Sequence, residues 1–155
     1  MELDHYELKS ESNFLVFEFI SEGPKGSITK LVKYNKTNLK DLYNLAFGDK
    51  NETGKIDDRV ISNNGDSEKI LATVVSTVYT FTEKFPEALI YATGSTKSRT
   101  RLYRIGITRY LPEILSDFEL YGQIGNEWHE FTAGIAYEAF LVKRKKRKNG
   151  KEKIK

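Results

Sequence analysis

The apolar residues of this chain change their spacing part-way along. In Ser27-Ile28-Thr29-Lys30-Leu31-Val32-Lys33-Tyr34 polar and apolar residues alternate apart from Lys30-Leu31, the period of a strand with one buried face. From Ile70 the pattern is different: Leu71, Val74, Val75, Val78, Phe81 and Phe85 follow at three- and four-residue intervals until Pro86. That is the period of an amphipathic helix, and proline cannot continue one. The spacing predicts a helix over residues 67–85, with Asp66 placed to cap it. A chain that must bury both a helical stripe and strand faces folds as α+β, helix against sheet.

The flanking segments fit that plan. Phe14-Leu15-Val16-Phe17-Glu18-Phe19-Ile20 is aromatic and β-branched, and Ser21-Glu22-Gly23-Pro24-Lys25-Gly26 is turn chemistry, so 14–34 is expected to be an antiparallel hairpin. Leu42–Phe47 and Ile56–Ile61 form a second expected pair around the polar loop Gly48–Gly54, ended by Asn63-Asn64-Gly65. A strand at 88–92 precedes a second helix from about 96 to 110, with Pro112 as its bend or stop. Segments 118–122, 127–131 and 135–142 alternate as three closing strands. We therefore expect an α+β fold, an antiparallel sheet of six to eight strands with two central helices packed on one face.

Charge divides the chain. Residues 143–155 hold nine Lys or Arg and the single acid Glu152, a net +8, which leaves 16 basic and 21 acidic residues, net −5, in 1–142. The expected organisation is one domain over 1–142 and a basic, unstructured tail over 143–155. Such a tail steers a protein toward polyanions, or simply keeps it soluble. The absence of cysteine excludes disulfides and thiolate metal sites, and His5 and His129 are too few for a multi-histidine metal centre. No apolar run is long enough for a helical span, and the start Met1-Glu2-Leu3-Asp4 is the opposite of a basic leader, so a cytoplasmic location with no membrane partner is expected.

The densest chemistry lies at the second helix. Ala88–Ala92 reads as a buried strand, Thr93-Gly94-Ser95 as a small-residue turn, and Thr96 onward as a helix opening with hydroxyls and cations. Free backbone N–H groups at a helix start favour negative charge, and Gly94, Ser95, Thr96, Lys97, Arg99, Arg101 and Arg104 together make a candidate anion site. The competing reading is a capped helix whose arginines pair with Asp57, Asp58 or Asp66. Helical position sets Lys97, Arg101, Arg104 and Thr108 on one side and Leu102, Tyr103, Gly106, Ile107 and Tyr110 on the other. Arg99 falls with the apolar group, where an arginine is costly without a partner.

Other candidates are weaker. Gly48-Asp49-Lys50-Asn51-Glu52-Thr53-Gly54-Lys55-Ile56 departs from a nucleotide-binding phosphate loop: five residues separate the glycines where four are needed, and Ile56 replaces the magnesium-binding hydroxyl. Asp49, Asp57, Asp58 and Asp66 lack the spacing of a calcium loop, so no metal and no cofactor is expected. His129 has no nucleophile placed beside it by sequence, and no catalytic residue is assigned. Of Tyr34, Tyr43, Tyr121, Trp128 and Tyr137, most are expected in the core rather than on a base-stacking platform.

Several of these strings, the Gly23-Pro24-Lys25-Gly26 turn, Tyr43-Asn44-Leu45-Ala46-Phe47-Gly48-Asp49, Asn64-Gly65-Asp66, and Gly94-Ser95-Thr96 with Arg99-Thr100-Arg101-Leu102-Tyr103, resemble a family of small uncharacterised bacterial proteins, a domain of unknown function. The resemblance implies a single cytoplasmic domain and supplies no catalytic residues. From the residues themselves we expect a binding protein rather than an enzyme, taking a polyanion such as nucleic acid through the Gly94–Arg104 surface and the tail. The alternatives are a small phosphorylated ligand or nucleotide, bound or turned over at the same helix start, and a protein-interaction module of a regulatory pair.

Overall fold

The computed structural model describes residues 4–57 and 63–146. Eight strands form one sheet: β1 (Lys9–Ser10), β2 (Val16–Gly23), β3 (Gly26–Lys36), β4 (Leu42–Asp49), β5 (Leu89–Ala92), β6 (Phe118–Ile124), β7 (Glu127–Glu130) and β8 (Ala139–Arg144). Three helices are described, α1 (Ser67–Lys84), α2 (Lys97–Arg109) and α3 (Leu111–Asp117). The strand order is β1-β2-β3-β4-β5-β8-β6-β7. The class is α+β, as the spacing predicts.

The β2–β3 hairpin closes on Gly23 opposite Gly26, leaving Pro24-Lys25 as a two-residue loop. Gly26 has φ +90°, a conformation that side chains with a Cβ rarely adopt. One pairing departs from the antiparallel expectation: β4 and β5 are parallel, Leu42 opposite Leu89 and Leu45 opposite Ala92. The reason is the connection. The chain from β4 to β5 passes through α1, and a helical crossover returns a strand in the same direction.

The core lies between the sheet and the helices. Phe17, Phe19, Val32, Tyr34, Tyr43 and Leu45 of β2–β4 pack with Ile70, Val74 and Phe81 of α1. Phe81 is fully buried, stacked on Tyr34 at 4.0 Å between ring centroids and edge-on to Tyr43 at 4.9 Å. A second cluster joins Ile114 of α3 to Phe118, Leu120 and Phe140, with Tyr103 and Ile107 of α2 against it.

Several boundaries differ from expectation. The second helix ends at Arg109 and Pro112 sits in the first turn of α3, where its missing N–H costs nothing. Ile56 makes a single antiparallel bridge with Lys50, and the rest of the strand expected at 56–61 falls on or beside residues 58–62, outside the described residues. The closing strand begins at Ala139, not Ile135, because Tyr137 turns inward. A Cβ on Gly122 would lie 2.4 Å from the Tyr137 ring, so the ring rests on bare backbone there. Lys143 and Arg144, counted above with the tail, belong to β8. Arg144 donates to Thr82 Oγ1 at 3.0 Å and to the Tyr79 carbonyl at 2.9 Å. Residues 147–155 of the tail lie outside the described residues.

Candidate functional site

The turn from β5 into α2 is built on a close approach. Were Gly94 to carry a Cβ, that atom would lie 2.4 Å from both Arg99 Cβ and the Thr100 nitrogen. Gly94 thus lets the strand end press against the first turn of the helix, and its N–H donates to Thr100 Oγ1 at 3.0 Å. Thr96 is the N-cap, its Oγ1 accepting the Arg99 N–H at 3.2 Å. The N–H groups of Lys97 and Ser98 make no hydrogen bond among the described residues, so two donors at the positive end of α2 face outward.

α1 begins close by. Asn64 is buried and stitches the start of α1 to the β2–β3 turn: its Oδ1 accepts the Lys25 N–H at 2.7 Å, and its Nδ2 donates to the Gly26 carbonyl at 2.9 Å and to Ser21 Oγ at 3.2 Å. A Cβ on Gly23 would fall 1.9 Å from the Asn64 carbonyl oxygen, so this junction also requires glycine. Asp66 occupies the N-cap position of α1 but makes no side-chain capping bond. Its Oδ2 instead accepts from Tyr6 and Ser21, both at 2.6 Å, and its buried Oδ1 has no partner among the described residues. The charge still favours the helix start electrostatically. Burial, then the Asp66 hydrogen bond, holds the Tyr6 hydroxyl above its ordinary pKa.

Between the two helix starts lies a cleft of about 490 Å³. Thr96, Ser98, Arg99 and Arg101 line one wall, and Asn63, Asn64, Asp66 and Ser67 the other. Its floor is largely apolar, Phe47 with Ile70, Leu71 and Leu102, and includes Lys30, buried and paired with Asp49 at 2.5 Å. Polar walls over an apolar floor make a concavity that can both bury and orient a small ligand.

The arginines decide its sign. Arg99 Nη1 donates to Ser95 Oγ at 2.7 Å, in the turn just before the N-cap. Among the described residues no carboxylate lies within ion-pair distance of Arg99 or Arg101. Asp66, one of the three partners weighed above, is engaged by Tyr6 and Ser21. Arg101, expected on the side away from Arg99, lines the same cleft. Lys97 and Arg104 do not line it. Gly94 and Ser95 line an adjoining recess that shares Arg99. Asp66 lines the α1 wall, so the two walls of the cleft carry opposite charge.

The tail leaves from elsewhere. Arg144 is held at Tyr79 and Thr82, near the end of α1, whereas the cleft lies at its beginning. About fifteen helical residues at 1.5 Å each separate them, roughly 22 Å. Among the described residues no three His, Asp or Glu side chains gather as a metal would require, and no helix is long and apolar enough to cross a membrane.

The four segments that carry the resemblance to an uncharacterised domain family meet here: the Gly23–Gly26 turn, the β4 strand with Phe47, Asn64-Gly65-Asp66, and Gly94–Tyr103. A family model described as a family of unknown function (DUF6934) matches residues 2–145. The chain belongs to that family. No curated protein matches it, and no solved structure does either. Sequence reasoning had no access to the α1 wall or to the floor. Asn64 and Asp66 read as turn and cap residues, and Lys30 and Phe47 as strand positions, until pairing brought them together.

Proposed function

We propose that this protein binds a small anionic ligand, a phosphoryl compound, in the cleft between the starts of α1 and α2. One observation carries the reading: Arg99 and Arg101 line a concave cleft beside the open N–H groups of α2, with no carboxylate paired to either guanidinium among the described residues. A guanidinium beside helix-start amides is suited to phosphate oxygens, which accept its forked donors two at a time. Phosphorylated metabolites and a cysteine-free chain both suit the cytoplasm.

A polyanion is the second reading, favoured by the net +8 of residues 143–155. The concavity of the cleft favours the small ligand. Titration of pyrophosphate and of a single-stranded oligonucleotide into the full chain, and into a chain ending at Lys146, separates the two. We expect saturable pyrophosphate binding that survives the truncation. Binding of the oligonucleotide alone, steeply weakened by salt and abolished with the tail, would overturn the small-ligand reading in favour of the polyanion.

A further inference from the structure

The cleft is one of three adjoining spaces that share lining side chains. Behind it the recess of about 110 Å³ is lined by Phe47, Arg99 and Leu102, which the cleft shares, and by Leu45 and Tyr103. Leu45 and Tyr103 also line a third space of about 70 Å³, deeper between the helices and the sheet. Leu71 borders all three. The innermost walls are apolar, including Val74 and Val78 of α1, Ile107 of α2, and Leu120 and Phe140 of the sheet. Natural cores are filled to near crystal density, so a space bordered only by such groups loses contacts unless something occupies it.

We propose that the ligand is an amphiphile, with a phosphate head at Arg99 and Arg101 and a short alkyl or aryl tail that passes Leu71 into the inner space. This rests on the anion site proposed above and names the chemical class of its occupant. The cationic cleft adjoins the recess and the recess adjoins the apolar interior, the order of head, linker and tail, with Leu71 as the side chain that must give way between them. The inner volume suits a few carbon atoms, not a long acyl chain. A free inorganic anion would use the cleft and leave the interior empty.

The test is a calorimetric series of methyl, butyl and hexyl phosphate on the full chain. Affinity is expected to rise about fourfold for each methylene that enters the interior, and then to level off. Ala92 and Ile107 line only the innermost space. Ala92→Leu or Ile107→Phe should flatten the chain-length gradient while leaving methyl phosphate within about twofold. Equal affinity for all three phosphates in the unsubstituted protein overturns the amphiphile and leaves the anion site standing. No binding of any of them overturns both. A gradient that persists in a folded filled-interior variant places the tail elsewhere and overturns the proposal; the unsubstituted series decides alone if neither variant folds.

Discussion

No side chain fits between Gly94 and Arg99: a Cβ on the glycine would lie 2.4 Å from the Cβ of the arginine. The contact fixes where α2 begins, and so where its free N–H groups and Arg99 point. Gly94→Ala must push the helix start away from β5. We expect a loss of about 2 kcal/mol or more from overpacking, a fall in melting temperature of roughly 4–8 °C, and weakened anion binding in the protein that remains folded. Thermal melts with and without pyrophosphate check both effects.

Asn64 holds the other wall. Its amide serves Lys25, Gly26 and Ser21 from a position only 1 % exposed. Asn64→Ala leaves the Lys25 N–H without its acceptor and opens a void. We expect about 2–3 kcal/mol of destabilisation in urea unfolding, with the midpoint shifted and the slope unchanged. Asn64→Asp keeps the acceptor for Lys25 but loses both donated bonds and adds charge, and should be no better.

Tyr103 links the site to alkaline stability. Burial pushes its hydroxyl up to about 12, with the Arg99 guanidinium pulling the other way. In the unfolded chain the group ionises near its ordinary value of 10.0. The folded state therefore holds a proton that the unfolded state releases between about pH 10 and 12. Stability is complete below that window and falls as pH rises through it. Burial raises the hydroxyls of Tyr34 and Tyr79 as well, and they add to the loss. Urea unfolding across this range should show the decline. In Arg99→Ala, ultraviolet titration should find Tyr103 ionising at still higher pH.

Local periodicity made much of this molecule legible. α1, the first hairpin, β5 and the start of α2 all follow from apolar spacing, turn residues and prolines within a few positions of each other. What stayed hidden depends on contacts distant in sequence. The parallel β4–β5 pair follows from a crossover, and the inward turn of Tyr137 from the bare backbone of Gly122 on another strand. The α2 wall of the cleft was visible because its glycine, hydroxyls and cations are contiguous. The α1 wall was not, because Asp66 and Asn64 bond to Tyr6, Ser21 and Lys25 rather than to their own helix.

The most direct test of the anion site compares three cations on one helix by calorimetric titration with pyrophosphate. Arg99 and Arg101 line the cleft, and Lys97 does not. The account predicts that Arg101→Ala and Arg99→Ala each weaken binding about tenfold or more, the worth of a charge-assisted contact, while Lys97→Ala stays within about twofold. Equal losses from all three substitutions, or none from either arginine, would contradict a defined site between the two helix starts.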